Sequence, residues 1–192
     1  MLAGNYVLYI VPVVVVVVVL SGILGMRRKS GSRSKLLNNF REAVFPNESD
    51  LSWYIAHDIM GKAGFPDCVV YIVDQQDQVC RQIAAYGPKN PEKMSILNPI
   101  NIPFGRGIVG HVAVSGKMEK IDDTTSDKRY VPDDDVRYSE LTVPVVIDGV
   151  VTMVIDSEHK NPAWFKDNDV KFVVTVAEIS MAKLLGLKKN AG

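Results

Sequence analysis

The first 26 residues carry no charged side chain, and Val13 to Val19 is an unbroken run of seven valines. Few structures accommodate such a segment. Val7 to Met26 is 20 residues long, and at about 1.5 Å per residue a helix of that length reaches about 30 Å, the thickness of a bilayer core. Valine favours strands in water. In lipid the helix prevails, because every backbone N–H and C=O must be satisfied within the segment. Pro12 permits a modest kink. Arg27, Arg28 and Lys29 follow directly, and positive charge on that flank places the C-terminal side in the cytoplasm. A cleaved signal peptide needs a basic start and a shorter apolar core, and neither is present. The expectation is a single-pass anchor over residues 1–26, a basic Ser/Gly linker over 27–35, a folded cytoplasmic domain over 36–187 and a tail over 188–192.

Charge supports this division. The chain has 22 basic and 22 acidic side chains, yet every acidic one lies at Glu42 or later. The body is therefore acidic, which argues against nucleic acid as a partner. Cys68 and Cys80 form no disulfide framework and lack metal-ligand spacing.

Within the body, Leu36, Leu37, Phe40 and Val44 recur at helical spacing, and Leu51, Tyr54, Ile55 and Ile59 form the apolar face of a second helix over about 50–60, with Ser49 or Asp50 as its cap. Strands are predicted over 68–73, 79–86, 119–121, 141–147 and 150–156, with a short extended piece at 100–103. Asp148-Gly149 marks a tight hairpin. A short helix is predicted over 107–115 and a long one over 167–185, the latter capped by Asp167 or Asn168 and turning Phe172, Val176, Ile179 and Ala182 inward. Hairpins imply an antiparallel sheet with helices packed on it, an α+β architecture.

Five stretches in this order resemble the GAF family: the glycine-rich start of the short helix from Phe104 to Ala113, Ile121-Asp122-Asp123 followed by Arg129-Tyr130, Ser139-Glu140 leading a strand to Pro144, Val154 to His159, and Phe165 with Asp169. The resemblance implies a GAF-like fold, with a central six-stranded antiparallel sheet flanked by N- and C-terminal helices and a small-molecule pocket over one face. Within the family the pocket is similar to that of the free methionine-(R)-sulfoxide reductases. Their glutamate falls on Glu140, and their two strand-end acids fall on Asp156 and Glu158. Their cysteines fall on Val109 and Asp133, so the nucleophilic thiol that sulfoxide reduction needs is missing here. The family usually has glycine where Met153 stands, which implies a narrowed or reshaped pocket.

Alternation puts Asp156 and Glu158 on one face of their strand. Carboxylates gathered in this way repel, by about 1 kcal/mol per close pair in water and several-fold more at lower dielectric. A ligand ammonium or a retained proton relieves that repulsion. The alternative is that these acids are solvated or cap strand-end loops. Arg106 is a candidate for a ligand carboxylate, Tyr130 for the pocket wall, and Asp123 for either a ligand contact or a loop cap. His57, His111 and His159 suggest no catalysis. Gly105, Gly107 and Gly110 lack the spacing of a phosphate loop. The expected function is a non-catalytic, membrane-anchored sensor without a cofactor. It binds a small, amine-bearing metabolite, pairs as a homodimer through its terminal helices, and signals to a separate protein. The alternatives are an interaction scaffold with a degenerate pocket and a sulfoxide-reductase-like enzyme of altered chemistry.

Overall fold

Alternating burial along the strands shows how the sheet is covered on both faces. In β1 (Cys68–Asp74), Cys68 and Val70 belong to one apolar cluster, whereas Tyr71 and Val73 belong to another. The computed structural model describes residues 32–190 except 91, 93, 133 and 134. The proposed anchor over 1–26 lies outside them. No helix among the described residues is long and apolar enough to cross a membrane.

Residues 32–42 are helical and are called α1. Helix α2 (Glu48–Tyr54) runs into a π-helical stretch, Ile55–Gly61. The remaining elements are β2 (Val79–Tyr86), β3 (Asn101–Pro103), α3 (Gly107–Ser115), β4 (Glu119–Ile121), β5 (Ser139–Ile147), β6 (Val150–His159) and α4 (Asp167–Asn190). The strands form one antiparallel sheet of six in the order β3-β2-β1-β6-β5-β4. This is the α+β, GAF-like arrangement expected from the sequence.

Helices α1, α2 and α4 cover one face. Phe40, Leu51, Ile55, Phe65, Phe165, Phe172 and Val176 are buried there. Helix α3 covers the other face with Ile108, Val109 and Val112. The hairpin turn has Asp148 at φ 51° and Gly149 at φ 79°, the two positive values of a type I′ turn.

Several details depart from the sequence reading. The cap of α2 is Asn47, whose side chain accepts from the Asp50 N–H at 2.9 Å. At α4, the Asp169 carboxylate reaches back to the Lys166 N–H at 2.8 Å, the N3 half of a capping box. Val44 is 90% exposed, because α1 ends at residue 42 and the chain turns away before the helical spacing reaches it. Ala182 is exposed too, and Leu184 takes the inward position. Strands β5 and β6 are also longer than predicted, and their added ends carry Glu140 and Glu158.

Met153 is fully buried in the helix-covered core, not in the pocket. Alternation explains this: Met153 and Ile155 face away from Val154, Asp156 and Glu158. Val145 pairs with Met153 and Val146 with Val151, which leaves Thr152 as the extra residue, and beyond that bulge Val151 faces the cavity side instead of sharing the face of Met153.

The glycine-rich start of α3 has a steric cause. A Cβ at Gly110 would fall well inside contact distance of the Pro103 carbonyl oxygen. The Gly110 carbonyl in turn accepts from the Gly105 N–H at 3.0 Å. Gly110→Ala is expected to push α3 off β3 and to cost about 1–3 kcal/mol, the usual range for overpacking. Thermal unfolding of the variant checks this, and an unchanged midpoint would refute it.

Candidate functional site

A cavity of about 320 Å³ lies between the sheet and α3. Val69 and Tyr71 of β1, Ile102 of β3, and Ile108 and Val109 of α3 make its apolar walls. Its polar end is built by β5 and β6. Glu140 stands directly opposite Glu158 in the ladder, and Thr142 stands opposite Asp156. Asp156 is flanked on its other side by Val69. Like charges opposed across strands destabilise a sheet, so this register opposes folding unless something compensates it.

The compensation is partly visible. Thr142 Oγ1 lies 2.7 Å from Asp156 Oδ1 and 3.0 Å from Glu140 Oε1. Glu140 and Asp156 are buried, at 4% and 5% exposure. Burial first, then the charge of Glu158, pushes the Glu140 carboxyl up to about 8. Burial and then Glu140 hold Asp156 well above the usual carboxylate range. Glu158 keeps some exposure to the cavity, yet burial and then Asp156 raise it too. The Tyr130 hydroxyl hydrogen-bonds to Glu158 and accepts from the Arg137 N–H at 3.0 Å.

Behind this cluster lies a second layer. Asp67, just before β1, accepts from the Glu158 N–H at 2.6 Å, and its carbonyl accepts from the Ser157 hydroxyl at 2.8 Å. Arg137, 3% exposed, donates from Nε to Asp67 Oδ2 at 3.4 Å. Lys89 is also buried and donates to the Asn98 carbonyl at 3.1 Å. Asp67, Lys89 and Arg137 all line the cavity.

Of the six residues singled out in the sequence, Glu140, Asp156, Glu158 and Arg106 line the cavity, Arg106 at its exposed rim. Tyr130 sits one layer back, holding Glu158 and the loop that ends at Arg137. Asp123 is a correction: it is exposed and caps the turn Thr124–Ser126, its carboxylate accepting from the Thr125 N–H at 3.0 Å and the Thr125 hydroxyl at 2.6 Å. His111 lies beside Glu119 at 3.4 Å, and His159 stacks on Trp164 with ring centroids 4.5 Å apart. Neither lines the cavity. Among the described residues no group of His, Cys, Asp and Glu is placed to hold a metal ion.

Sequence reasoning missed Asp67, Lys89, Arg137 and Thr142. Thr142 had a usable signal, since it lies two residues after Glu140 and so on the same face. The other three lie outside the strands, where no periodicity marks them.

The GAF domain family model matches residues 47–180. The chain belongs to the GAF domain family. One curated relative, the protein YtsP of Bacillus subtilis, is 29% identical over 100 residues; the match covers 48% of this chain and 61% of that protein. Among solved structures, the free methionine-R-sulfoxide reductase of Neisseria meningitidis in complex with its substrate is similar, with a TM-score of 0.72 and 18% identity over 84% of this chain and 91% of that one. The GAF domain of an Acinetobacter phosphoenolpyruvate-protein phosphotransferase is similar with a TM-score of 0.69 and 18% identity, over 84% of this chain and 95% of that one. At that identity the likeness concerns the fold. In this GAF domain, Val109 occupies the cavity wall, while Cys68 and Cys80 are buried elsewhere in the sheet. Burial pushes the Cys80 thiol up to about 12 and Cys68 well above its ordinary value. Neither thiol is poised as a thiolate nucleophile.

Proposed function

We propose that this GAF domain is a non-catalytic sensor whose cavity binds a small metabolite through an ammonium group. The observation that carries the reading is the meeting of Glu140, Asp156 and Glu158 at one end of a cavity with apolar walls. A cation placed there removes the repulsion that the ladder register imposes, and each of its N–H donors finds a carboxylate oxygen. Lys89 and Arg106, on other parts of the lining, suit an anionic group elsewhere on the same ligand. The absence of a poised thiol among the described residues favours a sensor over a sulfoxide-reductase-like enzyme. The degenerate-pocket scaffold loses its main support, because Met153 packs in the opposite core.

The length of the apolar run over residues 7–26 and the Arg27-Arg28-Lys29 flank support a single-pass anchor with the domain in the cytoplasm. The reading includes a homodimer through the terminal helices and a separate output protein. Neither a cofactor nor nucleic acid enters it.

Thermal unfolding of the full chain in a neutral detergent, screened against free amino acids, methionine sulfoxide, amines and nucleotides, tests the reading. An amine at 100 times its Kd adds about 2.7 kcal/mol, which corresponds to a midpoint shift of about 5–10 °C for a domain of this size. Asp156→Asn should remove the shift. A chain that is folded but shifted by no compound would instead favour the scaffold.

A further inference from the structure

Thr142 is fully buried between two carboxyl groups, and its hydroxyl has one hydrogen to give. That hydrogen serves either Glu140 or Asp156. An ionised carboxylate only accepts, so the second contact is a hydrogen bond only when that carboxyl carries a proton and donates it to the hydroxyl oxygen. The geometry therefore asks for one retained proton.

The charges around the cavity point the same way. Among the described lining residues four are acids (Asp67, Glu140, Asp156 and Glu158) and three are bases (Lys89, Arg106 and Arg137), and Arg137 is shared with Asp135 outside the lining. Negative charge is in excess, and a retained proton lowers it. The bases are not at the carboxyl pair. Arg137 is engaged with Asp67, Lys89 with the Asn98 carbonyl, and Arg106 is at the rim. The other groups that face the pair are acidic or weakly acidic: Glu158 across the ladder, Asp67 before β1, whose charge acts on Asp156, Asp127 from the loop after β4, and Tyr130 bonded to Glu158.

We propose that Glu140, Thr142 and Asp156 hold one proton among them in the empty cavity, and that the ammonium group of the ligand enters by displacing that proton to solvent. This rests on the amine-binding reading given above. In the exchange the O–H bond of one carboxyl breaks and its proton passes to the buffer. The ammonium N–H groups then donate to both carboxylates. One positive charge leaves as another enters, so the net charge of the cavity does not change. Thr142 sets this behaviour, because its hydroxyl stabilises the half-protonated pair by donating to one member and accepting from the other.

Affinity for an amine therefore rises with pH, by about tenfold per unit while the proton is held, and levels off near 8, where Glu140 gives up its proton. The test uses the full chain in a neutral detergent with L-methionine and methylammonium as probes, both still ammonium ions over pH 6 to 8. Binding is measured at pH 6, 7 and 8, and side-chain carboxyl carbons are followed by NMR in the empty protein. The expected result is a glutamate or aspartate carbon titrating above pH 7. Thr142→Ser should preserve that midpoint, Thr142→Val should move it, and Glu140→Gln should abolish it. Amine binding that does not vary with pH would overturn the exchange and leave the amine reading standing. If neither probe binds at any pH, the exchange and the reading fall together. Carboxyl carbons that all titrate below pH 6 would overturn the retained proton itself.

Discussion

Raising the pH from about 4.5 to about 8 should destabilise the empty domain, and Glu140→Gln should reduce that loss. Glu140 has its folded value raised from 4.5 to about 8. A carboxyl raised on folding binds its proton more tightly in the native state. Its contribution is fully present below pH 4.5 and is lost as the pH climbs through 8. At about 1.4 kcal/mol per unit, the loss reaches on the order of 5 kcal/mol. Asp156 and Glu158 are shifted in the same direction. At the acid end the sign reverses. Asp127, held low by Arg129, and His159, lowered by burial, both lose stability as the pH falls. The empty domain should thus be most stable near pH 4 to 5, between the loss from Asp127 on the acid side and that from the raised carboxyls above it. Denaturant midpoints of wild type and Glu140→Gln at pH 5.5 and 8.5 check this. Equal midpoints for the wild type at the two values, or an equal fall in the variant, would contradict it.

Arg137→Leu should cost about 3–5 kcal/mol, the range for removing one partner of a buried ion pair. Arg137 is 3% exposed and faces Asp67, which in turn holds the Glu158 N–H and the Ser157 hydroxyl. Without the guanidinium, Asp67 becomes a further uncompensated acid beside a cluster that already repels. The double variant Asp67→Asn/Arg137→Leu removes that charge and should lose clearly less than the sum of the two single changes, a coupling that a double-mutant cycle measures. A loss under 1 kcal/mol for Arg137→Leu would mean that the pair behaves like an exposed one.

Much of this was legible because strand patterning is local. Cys68 to Val73, Val79 to Tyr86 and the Asp148-Gly149 hairpin follow from β-branched runs and turn chemistry, and the pairing of Asp156 with Glu158 on one face follows from alternation. Where a local rule was broken by a neighbour, the reading failed. The bulge at Thr152 reverses β6 and puts Val151 on the cavity side, whereas Met153, three residues before Asp156, faces the other core by plain alternation. The stretch Ile55–Gly61 has the apolar pattern of a helix, and nothing in that pattern separates an α-helix from a π-helix. Asp123 stands in a family motif beside the site, yet its carboxylate is used by Thr125. Asp67, Lys89 and Arg137 reach the cavity from three separate loops, and only the assembled fold brings them together.

Ligand selection by this domain depends on an ammonium group meeting Glu140, Asp156 and Glu158. The most direct test compares the binding of one amine with that of the same molecule acetylated on nitrogen, which removes the charge and leaves the rest. Calorimetry on the full chain at pH 8, with the amine that shifts the unfolding midpoint most, should show saturable binding of the free amine and none of the acetylated one. Equal affinity for the two would contradict the claim that the carboxylates select the ligand.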